Sequence, residues 1–215
     1  MTHAFVETPH ERAENRLALF AAIFLGLAAT MTAFSAYQGA LKDGEALAGY
    51  TQSTSALTEA NRLNAQATQI QTGDRQLFVE YATTLQDDAP TAVETADYLL
   101  TLMRPELVEA IEWWLDTDDA ITPFDEIDGN PYTLVELEQA EQKSAESVRA
   151  FDEAAAADDT GDDFELSTVL LAITLFFGGI ATLFSRYVVS VSLLVVSGLS
   201  LVAGAVQLAM AAGVV

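Results

Sequence analysis

The residues best suited to metal chemistry form one acidic stretch late in the central polar region. It contains six carboxylates: Asp116, Asp118, Asp119, Asp125, Glu126 and Asp128. Oxygen ligands at such density are those that calcium prefers. The EF-hand spacing is not met, because taking Gly129 as its glycine places Phe124 at the first ligand position and Val135 at the twelfth. We therefore predict a solvated acidic loop at 116–128, with cation binding as the alternative.

Two histidines and many acidic pairs are the remaining candidates for catalysis or metal binding. His3 and His10 lie in the N-terminal tail of a chain without cysteine, which is not the pattern of a zinc site. Acidic pairs are expected by chance among 32 Asp and Glu residues. The sequence contains no nucleophile elbow, Gly-rich phosphate loop or metallopeptidase motif. We predict no catalytic residue, no metal ligand and no cofactor, and expect that the protein is not an enzyme.

The two tryptophans, Trp113 and Trp114, are adjacent and therefore point to different sides of a helix. We expect at least one of them in a packed core. Both are candidates for an interaction surface, because tryptophan is enriched at binding hot spots.

Acidic and apolar residues occupy different parts of the chain, which has a net charge of -23 and is 51% hydrophobic. All acidic residues except Glu7, Glu11 and Glu14 lie between Asp43 and Glu165. Such a domain repels nucleic acid, so we expect no nucleic-acid partner. Aromatic and aliphatic residues recur there at helical spacing, which argues against disorder. Concentrated salt screens repulsion between carboxylates, and the composition predicts a salt-loving archaeal source.

Three apolar segments predict a multi-pass protein of the cell membrane, with the lipid bilayer as a partner. Each reaches the ~20 residues that a helix needs to cross the hydrocarbon core. The predicted divisions are a tail at 1–16, spans at 17–38, 164–184 and 187–213, an acidic domain at 39–163, and a short turn at 185–186. A cleaved signal peptide ending near Ala36 is the alternative for the first segment, but that segment is long and follows a tail of mixed charge. Buried helices of a soluble protein are the alternative for all three.

Three arginines predict the orientation. Arg12 and Arg16 precede the first span, and Arg186 lies in the turn between the second and third. The positive-inside rule places these on the cytoplasmic side. Three spans then place the acidic domain and the C-terminus outside the cytoplasm.

The acidic domain shows helix signals and few strand signals, so we predict an all-α membrane protein. Small residues from Gly49 to Ile70 recur at alternating spacings of three and four, which indicates a helical stripe that a second helix can approach closely. The stripe consists of Gly49, Ser53, Ala56, Ala60, Leu63, Ala67 and Ile70. A second arm begins at a capping box of Thr133 and Glu136 and runs to about Asp158. Its apolar side is predicted to carry Leu134, Leu137, Val148 and Phe151.

Two arms that leave one membrane face in opposite chain directions predict an antiparallel helical hairpin, of coiled-coil type, capped by short helices. The cap comprises a helix at 74–86, one after a capping box of Thr91 and Glu94, and one beginning near Pro105. The stretch 158–163 reads as continuous helix at the interface, with a hinge at Gly161 as the alternative.

Small residues four apart within the spans allow close helix packing. The helix-packing candidates are Ala18, Ala22, Gly26, Thr30, Ser200 and Gly204. They fit packing among the three spans or self-association. No ionisable residue lies deep in a span, which argues against a proton relay.

Several short stretches resemble a family of uncharacterised small prokaryotic membrane proteins with three spans. These stretches are Ala33–Gln38, Gly44–Ala46, Arg104–Leu107, Trp114–Leu115, Tyr132–Glu141 and Leu166–Ile180. The resemblance implies one span, a helical segment and a terminal pair of spans, and it implies no activity.

The sequence favours a non-enzymatic interaction or scaffold protein of the cell envelope, which binds itself or a membrane-protein partner through the acidic domain. One alternative is a sensor or ligand-binding accessory subunit of a membrane complex. The other is an oligomeric channel or transporter subunit.

Overall fold

The computed structural model describes residues 9–117, 121–184 and 186–214, and these residues form five helices without a strand. The helices are α1 (Pro9–Leu85), α2 (Ala92–Leu102), α3 (Pro105–Leu115), α4 (Val135–Ala181) and α5 (Tyr187–Ala211). The predicted all-helical class is confirmed over this part of the chain.

Three of these helices are long and apolar enough to cross a membrane, which indicates a multi-pass membrane protein. They are α1, α4 and α5, whose most apolar windows have mean hydropathies of 1.9, 1.9 and 2.2. Only 17%, 33% and 11% of those windows is buried within the chain. Apolar surface left exposed on this scale is unfavourable in water and favourable in lipid.

The chain divides into two compact units. Unit 1 comprises Met1–Thr51 and Ala150–Val215, and unit 2 comprises Gln52–Arg149. Helices α1 and α4 contribute residues to both units, whereas α5 belongs to unit 1 and α2 and α3 belong to unit 2.

In unit 1, α4 packs against both α1 and α5. The Ser35 hydroxyl of α1 donates to the Phe164 carbonyl of α4 at 2.7 Å. On the other side, the Ser197 hydroxyl of α5 donates to the Thr174 carbonyl at 2.7 Å, and the Gln207 amide donates to the Asp163 carboxylate at 2.9 Å. Residue numbers on α5 rise as those on α4 fall, so these two helices run antiparallel.

The acidic stretch at 158–163 lies within α4, so the predicted continuous helix is confirmed and the hinge is not. Gly161 has a packing role there. A Cβ atom on Gly161 would lie 2.6 Å from Oδ1 of Asp43 on α1.

In unit 2, α1 presents the predicted small-residue stripe as a buried face. Ser53, Ala56, Ala60, Leu63 and Ala67 are all buried.

The predicted apolar side of the second arm is partly wrong. Leu134 is buried, but Leu137 and Val148 of unit 2 are exposed, as is Phe151 of unit 1. The inward residues of α4 in unit 2 are instead small, namely Ala140 and Ser147. Two helices that meet through small side chains approach more closely than helices that meet through leucine, which explains why the larger side chains of α4 point outward.

The main core of unit 2 joins the end of α1 to α2 and α3. It consists of Phe78, Tyr81, Ala96, Leu99, Met103, Leu107 and Ile111. Helix α1 continues through Gly73 to Leu85, so the separate helix predicted at 74–86 is its final part. A single interior glycine costs only about 1 kcal/mol, which the core contacts beyond it offset.

Of the two predicted helix starts at Pro105 and Thr91, the first is confirmed and the second is wrong in its capping. Pro105 occupies the first turn of α3 as predicted. Thr91 occupies the N-cap position of α2, but its side chain makes no capping hydrogen bond, so the predicted capping box is not formed.

Candidate functional site

A buried carboxylate, Asp74 of α1, is the centre of a polar cluster in unit 2. The residue is only 3% exposed. Arg104, at the N-cap of α3, donates from Nε to Oδ2 of Asp74 at 3.0 Å, and a terminal guanidinium nitrogen lies 2.9 Å from the same oxygen. Burying a carboxylate is costly unless it is paired and hydrogen-bonded, and this fork supplies both the charge and the donors. The pair therefore ties α1 to the turn between α2 and α3.

Tyr132 completes this cluster. Its hydroxyl donates to Oδ2 of Asp74 at 2.9 Å, and the guanidinium carbon of Arg104 lies 5.8 Å from its ring centroid. Burial raises the pKa of Tyr132 well above its ordinary value, and the hydrogen bond and charge of Asp74 raise it further. The phenol therefore stays neutral and keeps its donor proton.

Arg104 also stays charged in this environment. Partial burial by itself lowers the pKa of Arg104, but the hydrogen bond and charge of Asp74 and the charge of Glu106 outweigh that effect and raise it. A terminal nitrogen of Arg104 lies 3.3 Å from the Glu106 carboxylate. Every group in the cluster is thus neutralised or hydrogen-bonded, which is the chemistry of a structural clasp.

A row of aromatic rings extends from this cluster through the core. Ring centroids are 4.9 Å apart for Tyr132 and Phe124, 5.7 Å for Phe124 and Phe78, and 5.1 Å for Phe78 and Trp114. Each pair is nearly perpendicular, which is a favoured arrangement because ring edges are positive and ring faces negative. The row fastens the segment after α3 to the end of α1.

The second half of the acidic loop is organised by its own side chains. The Asp125 carboxylate accepts hydrogen bonds from the Thr122 hydroxyl and the Ile121 backbone amide, both at 2.7 Å. The bonds from Thr122 and then Ile121 hold the pKa of Asp125 below its ordinary value. The Asn130 side chain donates to the carbonyls of Pro123 and Asp125. Asp125 therefore serves to shape the loop.

Asp118 and Asp119, two of the six acidic residues, lie outside the described residues. Among the residues that the structure describes, no three His, Cys, Asp or Glu side chains form a group that could hold a metal ion.

Both tryptophans are half-buried in unit 2. Trp114 packs on the core through Phe78. Trp113 lies beside the turn at Gly129, whose φ of +89° is in the left-handed region that favours glycine. Their predicted role in binding a partner stays a prediction.

Three of the four packing candidates of α1 lie away from its buried face in unit 1. That face carries Ala21, Ala28 and Ser35. Ala22, Gly26 and Thr30 are exposed, and the side chain of Ala18 lies outside the described part of the chain.

One of the two candidates of α5 lies against α4. Gly204 is buried, and a Cβ atom on it would lie 2.9 Å from Cγ of Leu171. Ser200 is half-buried. Sequence reasoning passed over Ser197, which is buried and bonded to α4.

Sequence reasoning also missed the Asp74–Arg104 pair, although one signal was present. Asp74 follows Ile70 at the next position of the small-residue stripe, and an acidic residue on a buried stripe requires a cationic partner. The sequence alone does not say which of its few arginines is that partner.

Comparisons of the chain with protein-family models, with curated proteins and with solved structures find no match.

Proposed function

We propose that this chain is a non-enzymatic interaction or scaffold protein of the cell envelope. Three membrane spans anchor it, and the acidic helical domain at 39–163 binds a second copy or a membrane-protein partner.

The observation that carries this proposal is the exposed apolar surface of α2 in unit 2. Tyr98 and Leu102 are 62% and 53% exposed. Tyr98 and Leu102 are four residues apart and therefore neighbours on the helix surface. Exposed apolar side chains grouped in this way are typical of surfaces that a partner covers.

The polar groups of unit 2 support the same proposal. The Asp74–Arg104 pair and Asp125 are occupied by structural hydrogen bonds. These polar groups therefore stabilise the fold of the domain.

The arms of the outer domain form an antiparallel helical hairpin in this proposal. Its support in unit 2 is the contact between two buried residues on opposite arms, Ser53 of α1 and Ser147 of α4, whose hydroxyl oxygens are 3.1 Å apart. A rigid hairpin presents the exposed face of α2 at a fixed position.

The orientation belongs to the same proposal, with the N-terminus and Arg186 in the cytoplasm and the acidic domain outside it. The cysteine-free chain offers a direct assay. A single Thr101→Cys substitution should react with a membrane-impermeant maleimide in intact cells. Labelling that appears only after the cells are broken would reverse the orientation.

Native mass measurement with partner identification, after gentle solubilisation in molar salt, tests the interaction. We expect a discrete homo-oligomer or one stoichiometric co-purifying protein. The double variant Tyr98→Glu/Leu102→Glu should lose it, whereas the control Val93→Glu/Asp97→Glu, at exposed positions on another side of the same helix, should keep it. A monodisperse monomer without a partner would contradict the proposal.

A sensor or accessory subunit is the second candidate, because α1 and α4 each join an apolar window to unit 2 without a helix break. In that case the native mass should show a heteromeric complex. A homo-oligomer that survives both α2 double variants would instead favour a channel or transporter subunit assembled through the spans.

A further inference from the structure

The contact between α1 and α4 in unit 2 combines small apolar residues with one buried pair of hydroxyl groups. Ala56, Ala60 and Ala140 are at most 6% exposed, and none of them has a side chain beyond Cβ. Faces built from alanine have shallow ridges and grooves, so knobs and holes define their relative position only weakly. Several registers of the two helices would bury similar apolar area.

Ser53 and Ser147 break this near-equivalence. Their hydroxyl oxygens are 3.1 Å apart, and the Ser147 hydroxyl also lies 2.9 Å from the Ser53 carbonyl oxygen, to which it donates. They are 9% and 6% exposed. A slide by one helical turn, about 6 Å for four residues, would separate the two hydroxyl groups. The free-energy cost of losing the hydrogen bonds between these two residues therefore arises only in the shifted registers.

We propose that the Ser53–Ser147 pair is a register lock, a conformational device that holds α1 and α4 in one axial alignment along the alanine-rich part of their contact in unit 2. A single buried polar residue that fixes the register of paired helices is the best-attested use of buried polarity. This inference does not depend on the proposed function.

Paired cysteines test the lock directly, because the chain contains no cysteine of its own. The pair Ala60→Cys/Ala140→Cys reports the observed register, since its residue numbers have the same sum as those of Ser53 and Ser147. The pair Ala56→Cys/Ala140→Cys reports a slide of one turn. In the observed register its cysteines are offset by about 6 Å along the axis in addition to the spacing between the helices, which exceeds the reach of a disulfide.

Each cysteine pair is introduced into the serine background and into Ser53→Ala/Ser147→Ala, and disulfide yield is measured under mild oxidation. With the serines present, only the 60/140 pair should form. Without them, the 56/140 yield should rise about tenfold relative to the 60/140 yield, because two buried hydrogen bonds no longer distinguish the registers. The control Ser55→Ala/Ser144→Ala removes two exposed hydroxyl groups from the same helices and should leave both yields unchanged.

The single variants give a graded expectation that a general loss of stability would not produce. Ser53→Ala leaves the bond from Ser147 to the carbonyl of residue 53, whereas Ser147→Ala removes both contacts. Ser147→Ala should therefore release more of the shifted crosslink than Ser53→Ala. A 56/140 yield that stays low in the double variant while the 60/140 pair still forms would overturn the proposal. So would equal loss of both crosslinks with retained helical circular dichroism.

Discussion

Gly49 of α1 is predicted to be the least replaceable glycine outside the spans in unit 1. A Cβ atom on Gly49 would lie 2.8 Å from Cβ of Ala154, 3.3 Å from Cα of Ala154 and 3.3 Å from the Ala150 carbonyl oxygen. None of these atoms is the end of a flexible side chain. The clash can be relieved only if α1 and α4 move apart.

Gly44 provides a matched control five residues earlier on the same helix. A Cβ atom there would have no neighbour within 4 Å. Gly44→Ala gains about 1 kcal/mol of helix propensity without a packing cost. Gly49→Ala gains the same propensity and loses about 1–3 kcal/mol to overpacking. The difference between the two variants is therefore about 1–3 kcal/mol, because the propensity gain cancels.

Thermal unfolding of the detergent-solubilised protein in molar salt, followed by helical circular dichroism, measures this difference. A chain of this size shifts its midpoint by about 2–4 °C for each kcal/mol. Gly44→Ala should match or exceed the wild-type midpoint, and Gly49→Ala should fall at least about 2 °C below Gly44→Ala. Equal midpoints for the two variants would refute the close approach of α1 and α4 at this position.

Three further predictions follow from the clasp of unit 2 and from the spans. Asp74→Ala should lower the free energy of unfolding by about 3 kcal/mol in denaturant titration, because it removes the main partner of a partly buried guanidinium and the acceptor of the Tyr132 hydroxyl. The exposed Asp97→Ala should change the free energy of unfolding by less than about 0.5 kcal/mol. Because the pKa of Tyr132 is raised in the folded state, the phenol contributes stability below the ordinary tyrosine pKa of 10.0, and this contribution is lost as pH rises above that value. The decrease in the free energy of unfolding at alkaline pH should therefore be smaller in Tyr132→Phe than in the wild type. Identical pH profiles of the two proteins would contradict the buried phenol. Gly204→Leu should weaken the packing of α5 and increase its proteolysis in detergent, whereas Gly198→Leu, at a position with open space, should not.

Much of the architecture followed from local chemistry in the sequence. Apolar runs longer than the thickness of a bilayer determined three helices that are long and apolar enough to span a membrane, because backbone polar groups in lipid must be satisfied within the segment. The spacing of small residues from Ser53 to Ala67 determined which face of α1 is buried. Pro105 determined where α3 begins, since its fixed φ suits a first helical turn.

Other features depended on partners distant in the chain. Asp74 is separated by 30 positions from Arg104 and by 58 from Tyr132, and no local rule selects those partners from the alternatives. The outward placement of Val148 depended on how closely the small faces of α1 and α4 approach, which is a property of the packed pair. Helical period gave the positions that share a face, but only the tertiary structure decided which face lies against which neighbour, because that choice is made by packing and charge pairing between elements.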